Sequence, residues 1–418
     1  MLLILLEGRK AGFLQDARIT MEIQIYPSSN MNSDLIDAEV VDDQPELISI
    51  VEELSKSDIY AIDTEFHREK TYFAKLALIQ LRWSNRLVII DPLNLDLSVL
   101  SKVFLSNSIA VFHAGSQDLE VLHRATGSVP NSIFDTQIAA GFLGMRTPSL
   151  ASLHENLLGI KITKGDRLTD WLQRPLSESQ LRYAASDVRH LLDLHQVLTE
   201  RLIELKRYEW AKAEFATFLE KRQKLIDPKD AWQRIKEAKH LNKQARGVAQ
   251  ALAEWREIAA QKNDIPNRYI MSDLALVGIA QRKPTKLSDL KNIRGFDSAQ
   301  YQKEKGQHLL KIVGRGLEAD PIPSLKNRKK SLPPEMRPAV TLLSAWLAQF
   351  ATDMNIDPAL LGSRSDIEDL LRGESNSRLQ EGWRHEEVGE QVDNLLQGKC
   401  SLSFNNGRLV IEERGTLP

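Results

Sequence analysis

The chain has 418 residues, is 42 % hydrophobic and 27 % charged, and carries a formal net charge of −2, the profile of a soluble globular protein with room for two or three domains. Its one cysteine, Cys400, excludes an intrachain disulfide framework and a cysteine-based zinc site, so a reducing, cytoplasmic compartment is expected. The apolar opening at 1–6 is far too short to span a bilayer, and Glu7 and Asp16 do not suit a transit peptide, so no membrane association is expected.

The near-neutral total conceals a segregation of charge. Residues 1–200 carry 18 Lys and Arg against 27 Asp and Glu, residues 201–330 carry 29 against 16, and residues 331–418 carry 8 against 14. The middle segment is therefore +13 between flanks of −9 and −6. Such a block suits a polyanionic partner, although a solvated helical surface accounts for the charge equally well.

In chain order, residues 1–44 read as a weakly structured extension with a possible strand at 22–26, and Met21 offers a second start. A helix follows, opened by Pro45-Glu46 and patterned by Leu47, Ile50, Val51 and Leu54. Residues 59–66, Ile-Tyr-Ala-Ile-Asp-Thr-Glu-Phe, form an apolar strand that ends in two carboxylates, Asp63 and Glu65. A strand alternates its side chains with period two, so both point to one face, about 6.6 Å apart. Carboxylates that close repel, and burying either without a counter-charge is costly. A shared divalent cation relieves both costs; the alternative is a strand end frayed into water.

Residues 76–83 and 86–91 are two further apolar runs joined by Ser84-Asn85, a hairpin that extends the 59–66 strand into an antiparallel meander. Leu97, Leu100 and Phe104 mark a helix, residues 109–114 a strand reached by a crossover, and residues 132–136 one more short strand. From 136 to about 225 the pattern is helical, so the first domain is a mixed sheet with helices packed on it. Past Asp227-Pro228 helices recur, spaced by Pro266, Pro284, Gly295 and Gly306. The basic, double-proline stretch 326–334 reads as a linker, and a second helical unit covers 335–398.

Two further acids bear on the 59–66 strand. His113-Ala-Gly-Ser-Gln-Asp118-Leu119 sets Asp118 in the first turn of a helix, by itself the usual partner of a helix dipole. A strand lying beside 59–66, however, would deliver that turn near Asp63 on the same sheet edge. Further on, Ser177 caps a helix that carries Tyr183 and Asp187 four apart and hence on one face, with Ala184 and Ala185 between them to permit close packing.

Asp63-Thr-Glu65, the Asp118 segment and Tyr183-x-x-x-Asp187 resemble the three exonuclease motifs of the DEDD superfamily, in its tyrosine subclass. Thr71-Tyr-Phe, Leu78-Ile-Gln-Leu, Phe134-Asp-Thr-Gln and Thr169-Asp-Trp-Leu-x-Arg-Pro-Leu-Ser narrow the resemblance to the ribonuclease D family. Trp255-Arg-Glu, Asn263-x-x-Pro266, Asp273 and Ile293-Arg-Gly295 are similar to an HRDC domain, and 335–398 to a more divergent second one. The resemblance covers about 45–400. It implies an α/β ribonuclease H-like exonuclease domain at 45–222, an HRDC domain at 223–320, a linker at 321–334, a second all-α HRDC-like domain at 335–400 and a tail at 401–418.

The resemblance also implies a 3′→5′ exoribonuclease that works on RNA 3′ ends, releases nucleoside 5′-monophosphates, matures transfer RNA precursors and is monomeric. Its implied site has Asp63 bridging two divalent ions, Glu65 and Asp187 completing the first, Asp118 supporting the second largely through water, and Tyr183 hydrogen-bonding the attacking water. Oxygen-only ligands favour Mg²⁺ or Mn²⁺ over zinc, and a phenol of ordinary pKa is too weak a base at neutral pH to be more than an orienter. Phe66 either stacks on the terminal base or packs in the core; Lys164, Arg167 and Arg182 either touch phosphates or face water. His113 and His123 read as structural. Two other readings stay open at this stage, a DNA 3′→5′ exonuclease of the same superfamily and a non-catalytic nucleic-acid-binding scaffold. Helicase activity is disfavoured because no Gly-x-x-x-x-Gly-Lys occurs.

Overall fold

The apolar 59–66 run lies near the middle of a six-stranded mixed sheet, buried on both faces, which is why its first half lacks the alternation of a surface strand. The computed structural model describes residues 38–161, 169–223, 227–291, 293–296, 303–320, 332–374 and 377–414. The possible strand at 22–26, Lys164, Arg167 and the basic stretch 326–331 fall outside these residues.

The strands are β1 (Glu39–Val41), β2 (Ile59–His67), β3 (Lys75–Trp83), β4 (Arg86–Ile90), β5 (Ile109–Phe112) and β6 (Ser132–Asp135), in the order β1-β4-β3-β2-β5-β6. β2, β3 and β4 form the expected antiparallel meander, with Ser84 at φ 48° in the turn. β5 joins β2 in parallel and β6 joins β5 in parallel, so the crossover expected for 109–114 is present. β1 lies inside the stretch 1–44 read as an extension and pairs in parallel with β4. Three residues are too few to show a period, so pairing rather than pattern defines this strand.

Helix α1 (Gln44–Leu54) buries Leu47, Ile50, Val51 and Leu54, and Asp43 caps it by accepting the Glu46 amide at 3.2 Å. The Leu97, Leu100 and Phe104 pattern becomes a 3₁₀ turn followed by the short α2 (Ser101–Phe104). Then come α3 (Ser116–Thr126), α4 (Thr136–Gly141), α5 (Leu150–Leu153), α6 (Glu178–Arg189), α7 (Leu191–Glu204) and α8 (Tyr208–Gln223).

The basic segment folds around its own core of Trp232, Val248, Leu252, Leu276 and Ile312. Its main helices are α9 (Lys243–Asn263), the single turn α10 (Asn267–Ile270), α11 (Asp273–Arg282), the single turn α12 (Leu287–Leu290) and α13 (Lys303–Glu318). The motif residues noted in the sequence are its fasteners. Buried Arg256 donates to the Met271 carbonyl at 2.9 Å and to Asp273 at 2.7 Å, and Gly295 takes φ 78°, where a side chain would be strained.

The last helical unit, by contrast, shares one core with the sheet domain. Leu343, Trp346, Leu347 and Trp383 belong to the cluster built on the sheet. Trp383 stacks on Trp210 of α8 with centroids 4.9 Å apart, and buried Arg207 donates to the carbonyls of Phe142 and Met354 at 2.7 and 2.6 Å. A hairpin, β7 (Cys400–Asn405) with β8 (Arg408–Glu413), lies within the stretch read as a tail.

The seam between the two units is tied at Glu214, which pairs with Arg384 at 2.6 Å, both side chains about nine-tenths buried, and with Arg378 at 3.7 Å. Burial pushes the Glu214 carboxyl up, but the hydrogen bond and charge of Arg384 outweigh it and hold the group below its ordinary value of 4.5. Removing Arg384 leaves Glu214 buried with the longer Arg378 contact, so Arg384→Ala is expected to cost about 3 kcal/mol in chemical denaturation, the lower end of the cost of breaking a buried pair. A depressed folded pKa gives stability that is present above the unfolded value and lost as pH falls through the folded one. The wild-type protein should therefore lose this contribution below about pH 4.5, and Arg384→Ala should show a flatter acid limb.

Candidate active site

β2 delivers Asp63 and Glu65 to one face of the sheet, and its register with β3 shifts between Glu65 and Phe66, a β-bulge at the point where the acids emerge. α6 packs across β2, β3 and β4 on that face. Its buried Ala184 and Ala185 let the helix approach closely, and a Ser177–Gln180 capping box fixes where it starts. Asp187 of α6 thereby meets the strand pair. Carboxylate oxygens of Asp63, Glu65 and Asp187 lie within 4.8 Å of one another.

Asp118 stands against this trio from the first turn of α3. It is 7 % exposed and accepts the Thr64 hydroxyl at 2.5 Å. Burial, and then the charges of Asp118, Asp187 and Glu65, push Asp63 well above the carboxylate range, opposed by the Thr64 amide. Burial raises Asp118 as well, against the Thr64 hydroxyl. The strongest charges acting on Asp63 are thus three other carboxylates, an all-oxygen, anionic set of the kind a hard divalent cation takes and a sulfur- or imidazole-based zinc site does not.

Tyr183 lies one turn before Asp187, half-buried, its ring centroid 5.9 Å from that of buried Trp171. Phe66 is half-buried at the bulge. Arg182 is exposed and pairs with Glu178 at 3.0 Å along α6. His113 shares Nδ1 with the Thr136 hydroxyl at 2.9 Å, and burial lowers its pKa to about 4, so it is neutral at pH 7 and ties two strand ends together. His123 lies in α3, five residues beyond Asp118.

Several residues that hold the site are ones the sequence motifs contain without revealing their work. Buried Asp135 ends β6, caps α4 and accepts the Gly115 amide at 2.9 Å, which anchors the turn that presents Asp118. A Cβ at Gly115 would meet Phe112 at 2.7 Å, so only glycine fits there. Arg174 forks onto Asp91 and donates to the Ala77 carbonyl at 2.9 Å, fastening the segment ahead of α6 to the sheet. Gln80, fully buried, is the cross-strand partner of Asp63, and among the described residues no group takes either end of its amide. Its one sequence signal was a polar residue inside an apolar strand.

Because protons and divalent cations compete for carboxyls whose pKa is raised, cation binding should release protons and tighten as pH rises. Titration calorimetry with Mn²⁺ in two buffers of different ionisation enthalpy should show proton release at pH 6, less at pH 8, and higher affinity at pH 8. Affinity and proton balance that ignore pH would remove this cluster as the binding site.

Residues 38–203 match the 3′-5′ exonuclease family and residues 245–313 the HRDC domain. Ribonuclease D of Zymomonas mobilis is 35 % identical over 382 residues, 89 % of this chain and 97 % of that one. Ribonuclease D of Bartonella henselae is 34 % identical over 364 residues, 85 % and 89 % of the two chains. The crystal structure of Escherichia coli RNase D, an exoribonuclease involved in structured RNA processing, superposes with a TM-score of 0.78 at 31 % identity, covering 87 % of this chain and 99 % of that one. With that identity running through both the nuclease sheet and the helical segments, the chain belongs to the ribonuclease D family of 3′→5′ exoribonucleases.

Proposed function

We propose that Asp63, Glu65, Asp118 and Asp187 hold two divalent ions, Mg²⁺ or Mn²⁺, that Tyr183 orients the attacking water, and that the substrates are the 3′ ends of transfer RNA precursors. The observation that carries this reading is the convergence of Asp63, Glu65 and Asp187 within 4.8 Å in a chain of the ribonuclease D family. When bound, such ions supply Lewis acidity and lower the pKa of water.

The chain's own residues do the rest. Water adds to the terminal phosphodiester, the bond from phosphorus to the upstream 3′ oxygen breaks, and that oxygen takes up a proton. The products are a nucleoside 5′-monophosphate and an RNA one residue shorter. Asp63 and Glu65 set the metal-holding edge from a rigid strand, and Asp187 closes it from α6. Thr64 keeps Asp118 turned inward. Tyr183, on the same helix face as Asp187, directs its hydroxyl to the water and shifts no net charge. A single cysteine suits a reducing cytoplasm, where RNA precursors are processed.

The test is a time course on 3′- and 5′-labelled RNA and DNA with Mg²⁺, Mn²⁺ or EDTA. Wild type should shorten RNA from its 3′ end only with a divalent ion, and Asp63→Asn should fall to background. Tyr183→Phe should lose about 10²-fold in kcat with metal affinity unchanged, the scale of a misplaced proton-handling group. Equal degradation by wild type and Asp63→Asn would refute the assignment, and degradation of DNA ahead of RNA would favour the DNA exonuclease reading.

A further inference from the structure

The basic segment is docked onto the loop that follows the catalytic strand, and the seam between them is not closed. Tyr72 of the loop hydrogen-bonds Glu257, itself only 2 % exposed, and accepts Gln261 at 3.1 Å. The Phe73 amide donates to Asp264 at 3.0 Å, and Arg268 donates to the Glu69 carbonyl at 3.1 Å. These contacts fix the two domains at a set separation along one edge.

Beside that edge a cleft of about 510 Å³ opens between Arg68, Glu69 and Lys70 of the nuclease domain and Arg268 and Tyr269 of α10. Tyr269 is also a wall of a second cavity, of about 660 Å³, that runs into the basic segment. Tyr269, which is 57 % exposed, is thus a shared wall of the two cavities, which make up the two halves of the groove considered below.

The halves differ in chemistry. The first sets Lys70, Arg268 and Arg68, the last also paired with Glu120 at 3.1 Å, against Glu69, drawn from two domains, and the Arg268 guanidinium lies 5.1 Å from the centroid of the Tyr269 ring, on one of its faces. The second is walled by Trp255, Ile265 and Ile270, with Lys305 balanced by Glu304 and with the His308 ring tilted at 60° to Trp255, centroids 6.2 Å apart. A surface with phosphate-seeking cations on one side and aromatic rings on the other matches a single nucleic acid strand, whose backbone and bases separate the same way. Arg68 lies three residues beyond Glu65 on the same strand and loop, about 10 Å along it. A strand whose 3′ end enters the carboxylate cluster has its upstream nucleotides within reach of this groove.

We infer that the groove is a second RNA subsite, in which backbone phosphates of the unpaired strand upstream of the 3′ terminus lie against Arg68, Lys70 and Arg268 and one base stacks on Tyr269. The inference rests on the exonuclease reading for the direction of the strand, but not for the binding itself. It gives the charge segregation a specific purpose: the +13 segment supplies one wall of a path whose other wall is the nuclease domain.

The test uses the full chain and separates binding from cleavage. In EDTA, fluorescence anisotropy with a labelled single-stranded RNA of about twelve nucleotides should show Tyr269→Ala binding about tenfold more weakly and Tyr269→Phe binding as wild type does. Lys70→Gln should reduce the slope of log affinity against log salt by about 0.7, the loss of one phosphate contact on a single strand. With a divalent ion, Tyr269→Ala should raise KM for the RNA and leave kcat unchanged. The same variant should hydrolyse the nitrophenyl ester of a nucleoside 5′-monophosphate, which has no upstream chain, at the wild-type rate. Wild-type RNA affinity in Tyr269→Ala would overturn the subsite, and so would an equal loss on RNA and ester, which would make Tyr269 part of the scaffold. If the wild type cleaves neither substrate, the exonuclease reading fails while the anisotropy series still decides the groove.

Discussion

Mutual repulsion among carboxylates is the constraint on which this structure depends. Four acids from three elements are drawn towards one recess, and the three beside Asp63 each raise the cost of ionising it. Nothing local favours that arrangement, so it must be imposed by parts too rigid to relax: a central strand buried on both faces, a helix backed onto it by two alanines, and a turn pinned by a buried aspartate. Each anchor removes a way for the acids to separate. Anionic crowding that would destabilise a free surface becomes, in the proposed reading, the source of affinity for divalent ions.

The anchors form a second layer with its own logic. Thr64 sits between Asp63 and Glu65 in sequence, and its hydroxyl reaches Asp118. The strand thus both presents its own acids and fixes the acid of a neighbour. Arg174 and Asp135 do similar work at longer range, using charge-assisted or multiple hydrogen bonds where a single neutral bond would leave room for drift.

The three folded parts are related in two different ways. The last helical unit merges with the sheet domain through a continuous apolar core and a buried ion pair, so the two form one cooperative body. The basic segment keeps a separate core and touches the nuclease domain through polar contacts around Tyr72 and Arg268. A polar seam leaves space beside it, and that space is the groove on which the inferred subsite rests. A basic wall beside an acidic centre also gives an approaching polyanion a gradient, with attraction along the path and repulsion at its end until cations are bound.

Much of this was legible in the residues. Periodicity located the meander, because each strand was long and apolar enough for its pattern to exceed noise, and helical spacing put Tyr183 and Asp187 on one face. The carboxylate pair on β2 followed from strand geometry alone. β1 was not legible, because three residues define a strand only by pairing, and the strand-like run that begins at about 408 did not reveal its partner β7. The merging of the last helices with the sheet domain was hidden for a related reason: a helix pattern shows that an apolar face exists but not what it will meet. The sequence by itself determined which groups carry charge and which face of its own element each occupies, since these depend on residue type and local period. Only the tertiary structure decided that Asp187 meets Asp63 and Glu65, that Thr64 turns Asp118 inward and that Tyr269 stands between two cavities, because those distances are set by how rigid elements pack across long separations in the chain.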